Sequence, residues 1–240
     1  ITAKASVKFP AGWQFGSALE VASRDGDTVH FKPISYDNLV DSPIYAGKYF
    51  KRVDLDPGAK VPVHLNIVAD APKYLEITPE QLKVHRNLVQ QMYKLYGARH
   101  YNHYDFLFSL SDKMSGNGLE HHRSSENGVG TGYFTEWDKN VLDRDLLPHE
   151  FNHSWDGKYR RGADLTTPSF NVPMEDSLLW VYEGQTQFWG HVMATRSGLW
   201  NEEQARDMLA FVAATYDRGR PGLASWRNVQ DTTNDPIIAQ

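Results

Sequence analysis

The chain has 240 residues, 40% hydrophobic and 23% charged, an ordinary globular composition with enough length to bury a sizeable core in one large domain or two small ones. A net charge of −5 argues against a nucleic-acid partner, because there is no basic excess to neutralise phosphates. Cysteine is absent, which excludes disulfide scaffolds and thiolate metal sites and leaves His, Asp and Glu as the available metal ligands.

The chain opens on Ile1 rather than Met and shows no signal-peptide pattern, so it reads as a processed or excised piece. No apolar run approaches the roughly 18 residues of a membrane-spanning helix, so no membrane partner is expected. The compartment stays open, and a soluble protein that is exported or periplasmic fits as well as any other. Residues 1–70 read as a β-rich module. Short runs such as Val29–Phe31, Tyr49–Val53 and Val61–Leu65 are separated by the turn clusters Arg24–Asp27 and Asp56–Gly58.

The pattern changes near Asp70-Ala71-Pro72. Thr78-Pro79-Glu80-Gln81 is a capping box that starts a helix, and Gly97 can end it. Tyr104–Leu110 (YDFLFSL) reads as a buried strand, and a polar, glycine-rich stretch follows from Ser111 to Gly132. Three more helices are expected: Asp145–Trp155 with Asp145 as cap, Ser177–Ser197 ending at Gly198, and one from Asn201 to about Tyr216. Trp155, Trp180 and Trp189 are expected in the core. The tail Thr232–Gln240 carries no stop signal, so a longer natural chain is expected. The order predicts an α+β fold, with a β module at 1–70 in front of a mixed helix-and-strand region at 71–240.

The strongest chemical signal is His149-Glu150-Phe151-Asn152-His153. On a helix, residues four apart share a face, so two imidazoles can hold one Zn²⁺ while the intervening Glu reaches a water instead of the metal. Catalytic zinc needs a third protein ligand. A metzincin would place a His six residues after His153, but that position is Tyr159. Glu183 is the best remaining candidate, because it is a lone acid in the apolar run Leu178–Gly184, where burial is costly unless the charge is paired or bound. Glu175, Asp176 and Asp164 are weaker candidates, at a helix start or in a loop.

At this point the sequence resembles the glycyl aminopeptidase family of gluzincin zinc metallopeptidases, relatives of the thermolysin-like and aminopeptidase N-like enzymes. The likeness is carried by Tyr36–Pro43 (YDNLVDSP), Gly118–Ser125 (GLEHHRSS), His149–Trp155 (HEFNHSW) and Trp180–Thr186 (WVYEGQT). It implies a thermolysin-like zincin domain with a single zinc on His149, His153 and Glu183, and Glu150 as general base. It implies removal of small N-terminal residues, Gly or Ala, from peptides with a free N-terminus. It also implies that a catalytic tyrosine, further helices and often a PDZ-like module follow this region, so that the piece lacks part of the catalytic set. Tyr216, the only late tyrosine, is not assigned that role.

Gly118-Leu119-Glu120-His121 is similar to the Gly-x-Met-Glu-Asn segment of aminopeptidase N-like enzymes, with Leu for Met and His for Asn. The resemblance implies that Glu120 holds the substrate amine, with Gly118, Leu119 and His121 beside the substrate. Other polar clusters have plainer readings: His121-His122 and His100/His103 as surface or strand-edge histidines and His191 as a half-buried helix residue, while Arg160-Arg161 reads equally as a solvated loop or as a pair that orients a ligand or a neighbouring acid. The competing functions are a thermolysin-type endopeptidase and a non-catalytic, zinc-stabilised peptide-binding domain.

Overall fold

Short polar–apolar alternations break the first part of the chain into small strands. The computed structural model describes residues 1–169 and 171–218. The opening elements are β1 (Thr2–Ala3), β2 (Ser6–Lys8), β3 (Gln14–Ser17), β4 (Val21–Asp25), β5 (Thr28–Phe31), β6 (Ile34–Ser35), the helical turn α1 (Tyr36–Val40) and β7 (Ile44–Gly47). They pair antiparallel as β1–β6, β2–β5–β4 and β3–β7. Gly26, with φ +55°, makes the tight turn between β4 and β5. Phe9, Leu19, Val29 and Phe31 form a small core of their own.

The larger unit is built on β8 (Phe50–Asp54), β9 (Val63–Ala69), α2 (Pro79–Tyr96), β10 (Tyr104–Leu110), β11 (Asn117–Glu120), β12 (Ser124–Val129), α3 (Leu146–His153), α4 (Thr186–Ser197) and α5 (Glu202–Arg218). Its five strands run in the order β11-β12-β10-β9-β8, with β9, β10 and β12 mutually parallel and the two edge strands antiparallel to their neighbours. β10 is buried along its whole length. Its even-numbered residues Tyr104, Phe106, Phe108 and Leu110 pack with Leu88, Val89 and Met92 of α2, Leu147 and Phe151 of α3 and Met193 of α4. Leu107, facing the other way, meets Tyr45 and Val68. The sheet is thus covered by helices on one face and by the N-terminal strands on the other, which is why YDFLFSL carries no exposed position.

Four expectations are corrected. The sheet takes β8 and β9 from before residue 70, so a division into 1–70 and 71–240 cuts through it. The polar stretch after Ser111 contains two strands, and β12 (SSENGV) is almost wholly buried because its side chains bond within the sheet, as when Asn127 donates to the Leu107 and Ser125 carbonyls. The helix expected from Ser177 begins instead as a π turn at Trp180–Gln185 and becomes α-helical at Thr186. That turn leaves Trp180 48% exposed, while Trp155 is buried. The tail from residue 219 onward lies outside the described residues.

Other signals hold. Thr78 and Gln81 form the reciprocal capping box of α2, and Gly97 closes the helix at φ +68°. Asn201 and Gln204 make the same exchange ahead of α5. Among the described residues no helix is long and apolar enough to cross a membrane.

Phe151 anchors α3 to the core, with ring centroids 4.6 Å from Tyr104, 5.0 Å from Phe106 and 5.1 Å from Trp155. Phe151→Ala is expected to lower unfolding free energy by about 3–5 kcal/mol, as measured by chemical denaturation. A loss below about 1 kcal/mol would mean that α3 is held elsewhere.

Candidate functional site

α3 grows directly out of a 3₁₀ turn at Leu142–Asp145. Its first amides therefore need no side-chain cap, and Asp145 does not supply one. The Asp145 carboxylate instead accepts from Gln187 Nε2 at 2.7 Å and pairs with His191 Nε2 at 3.1 Å. Leu147 and Phe151 point into the core, and the opposite stripe of α3 carries His149, Glu150 and His153.

The i, i+4 spacing brings His149 Nε2 and His153 Nε2 to 3.0 Å. Glu183 Oε2 lies 3.3 Å from the first and 3.4 Å from the second. Glu183 arrives on the π turn, and Gly190, one turn into α4, lets that helix lie against α3: a Cβ there would sit 3.3 Å from His149 Cα. Contrary to the argument from burial, Glu183 is 48% exposed at its side chain. Its charge is set by the histidines: burial alone would raise its pKa, but the bonds to His149 and His153 pull it down to about 2.

The donor set fits a tetrahedral divalent ion. Ligand atoms 2.0–2.1 Å from such an ion stand about 3.3 Å apart, which matches the three separations just given. His153 Nδ1 donates to the Asp156 carbonyl at 3.1 Å, so its Nε2 offers a lone pair, as a ligand must. His149 Nδ1 is buried without a protein partner among the described residues.

Glu150 is buried, and its Oε2 has no protein partner among the described residues. Burial raises its pKa to about 7; His149 and His153 oppose the shift, and Glu120 and Glu183 add to it. The carboxylate lies under the edge strand β11, where a Cβ on Gly118 would run into Glu150 Oε1 and Leu146 Cδ1. Gly118 is thus a glycine for the room it leaves. Leu119 is exposed on the same edge.

Glu120 ends β11, and its Oε1 accepts from the Tyr182 hydroxyl. The Tyr182 ring packs 4.7 Å from His153, and Gly157, with φ +141°, makes space for it, since a Cβ there would lie 2.8 Å from the ring. Sequence reasoning did not single out Tyr182, which reads as one more apolar residue in the run before Glu183.

His121 and His122 are not free surface histidines. His121 Nδ1 is 3.0 Å from Asp41 Oδ1 and its Nε2 is 2.9 Å from Glu126 Oε2, so both ring nitrogens are committed to carboxylates. Asp41 also accepts from the His122 amide at 2.8 Å, His122 Nδ1 at 3.0 Å and Lys158 Nζ at 3.0 Å. It follows α1, so the N-terminal strands grip the residues just beyond Glu120 and α3. Asp41 lies in the Tyr36–Pro43 segment, where the sequence alone assigns it no role of its own. His100 and His103 do not converge: the first bonds Ser154 and the second Asp105. Arg161 donates to the Gly157 carbonyl and lies 5.7 Å over the Tyr182 ring, and Arg160 lies over Tyr159.

The family model described as M61 glycyl aminopeptidase matches residues 143–240, a span holding His149, Glu150, His153 and Glu183. The Peptidase M61 N-terminal domain matches residues 2–48. The chain belongs to the M61 glycyl aminopeptidase family. The N-terminal match ends just before β8, where the large sheet begins. In fold, this M61 chain is similar to the crystal structure of an aminopeptidase N family protein from Idiomarina loihiensis, with a TM-score of 0.62 at 20% identity. The similarity covers 80% of this chain and 33% of that one, so the chain spans about a third of that protein's length. No curated protein matches it.

The Asp41 cluster has a pH signature. Burial alone would lower the His121 pKa, but the bonds to Asp41 and Glu126 outweigh it and raise the value from 6.5 to about 9. Burial would raise Asp41, but His121, His122 and Lys158 hold it far below the usual carboxylate range. A raised His pKa stabilises the fold fully below its unfolded value and is lost as pH rises through the folded one. Asp41→Asn is expected to cost about 1–3 kcal/mol near pH 6, with the gap shrinking as pH passes from 6.5 through about 9. Denaturation curves across that range test it, and a gap that stays level rejects the charged pairing.

Proposed function

We propose that this chain carries the active site of a zinc aminopeptidase with a thermolysin-like arrangement, removing small N-terminal residues such as Gly or Ala from peptides. The observation that carries the reading is the triangle of His149 Nε2, His153 Nε2 and Glu183 Oε2, 3.0–3.4 Å on a side, beside the buried carboxylate of Glu150. Two imidazoles and one carboxylate favour zinc among the divalent ions. Bound there, zinc would supply Lewis acidity for the scissile carbonyl and the attacking water.

The chain's own residues account for the general-base and amine-binding roles. Glu150, with its proton affinity raised by burial, takes a proton from the attacking water and delivers one to the leaving amine. Glu120 faces the same space, since its carboxylate, that of Glu150 and the His153 ring all lie within 4.8 Å of one another. There it receives the substrate's α-ammonium group, while the Tyr182 hydroxyl fixes its orientation. A carboxylate in that position favours a free amine and disfavours an acylated one. Tyr182 also fills space next to Glu120, in keeping with a small first residue. Among the described residues the edge strand β11 pairs on one side only, leaving backbone groups for an extended peptide. The family description names glycyl aminopeptidases, which supports the small-residue preference.

The full-length enzyme is expected to cleave Ala-peptides with a free N-terminus at least 100-fold faster than their N-acetylated forms, because acetylation removes the charge that Glu120 recognises. Equal rates would point to an endopeptidase. Glu150→Gln is expected to cut kcat by about 10²–10⁴ while zinc content, measured by atomic absorption, stays near one per chain. Unchanged turnover in that variant would leave the metal with a structural role only.

A further inference from the structure

The cleft continues beyond the metal-site residues. A cavity of about 550 Å³ opens from His149 and Glu150 past Leu146 to Leu142, Asp143 and Asp145. Two elements fix its place. On α3, Leu146 and His153 are separated by about 10 Å of helix, with Glu150 between them. On β11, Gly118 lies against Glu150, and Glu120, about 7 Å further along, is bonded to Tyr182 beside His153. Glu120 therefore marks one end of the cleft, the turn at Asp143–Asp145 marks the other, and the reacting groups lie between.

If Glu120 holds the α-ammonium, as the proposed function has it, the first residue of the peptide lies between Glu120 and Glu150. The second residue, on the leaving side of the bond, then falls in this cavity. The chemistry of that end is acidic. Asp143 lines the cavity with no ion-pair or hydrogen-bond partner for its carboxylate among the described residues. Asp145 stands beside it, held by Gln187 and His191. Arg144, between them in sequence, does not neutralise either: it is buried, donates to the Leu199 and Trp137 carbonyls and lies 3.9 Å over the Trp137 ring. Burial and the neighbouring Asp145 raise the Asp143 pKa, a penalty that a bound cation relieves. Leu142 and Leu146 offer an apolar wall for an aliphatic stem on the way to the carboxylates.

We propose that this cavity is the subsite for the residue after the cleaved bond, and that Asp143, supported by Asp145, selects a long cationic side chain, Lys or Arg, at the second position of the substrate. The inference rests on the amine-anchoring role of Glu120, and the test separates the two. Zinc-loaded full-length protein is assayed on peptides that begin Ala-Lys, Ala-Leu or Ala-Glu and are otherwise identical. The kcat/KM for Ala-Lys is expected to exceed that for Ala-Glu by about tenfold, with the ratio narrowing at high salt. Asp143→Asn is expected to shrink the ratio several-fold, and Asp143→Glu to retain most of it. Calorimetric binding of the same peptides to the Glu150→Gln protein reads the same ranking without turnover. Equal values for the three peptides, or a ratio that Asp143→Asn leaves unmoved, overturn the subsite. Failure of the amine anchor shows separately, as equal handling of free and N-acetylated peptides.

Discussion

The site depends on the rotation of α3, which packs one stripe into the core and turns the opposite stripe toward the cleft. At eight residues the helix is too short to be stable alone, so packing must hold it in register. Phe151 and Leu147 do this from inside an aromatic cluster built on β10 and α2. Because successive residues turn about 100° around a helix axis, locking Phe151 into the core fixes the direction of His149, Glu150 and His153 toward the cleft. Core packing and ligand geometry are two readings of the same rotation.

Charge sets the second constraint. Glu120, Glu150 and Glu183 gather around two imidazoles in a partly desolvated cleft. They answer that crowding differently. Glu183, bonded to both histidines, is held ionised, whereas Glu150, buried with one oxygen unpartnered, is pushed toward the neutral form. Under the proposed function a divalent ion and one ammonium group bring the balancing positive charge. The same cleft can then bind a substrate amine and still keep a base of near-neutral pKa within reach.

What could be read in the sequence divides along physical lines. Local periodicity revealed α2, α3, α5 and the buried strand β10, because capping residues, i, i+4 spacing and a continuous apolar run are all written in neighbouring positions. Glu183 stood out for its isolation among apolar residues, although it proves to be half exposed and placed by a π turn instead of by burial. β12 did not show itself, since polar residues make up most of its buried length, with Asn127 bonding to the Leu107 and Ser125 carbonyls. Tyr182 and Asp41 lie in segments that carry the family likeness, but their roles could not be read there: their contacts with Glu120 and His121 span 62 and 80 residues of chain. The same long reach hid the true start of the large sheet, whose β8 and β9 precede the compositional break near residue 70.

The π turn at Trp180–Gln185 makes the placement of Glu183 a matter of counting. A π turn holds one residue more than the α-helical turn it replaces, and that surplus is what swings Glu183 round to the histidines. Deleting a single residue from this stretch would leave every helix-forming side chain in place and let the helix wind regularly. Glu183 would then be carried about a quarter of the way around the axis, away from His149 and His153. A one-codon deletion here could thus preserve the architecture while dismantling the centre, which makes chain length in this segment as much a part of the chemistry as the identity of its glutamate.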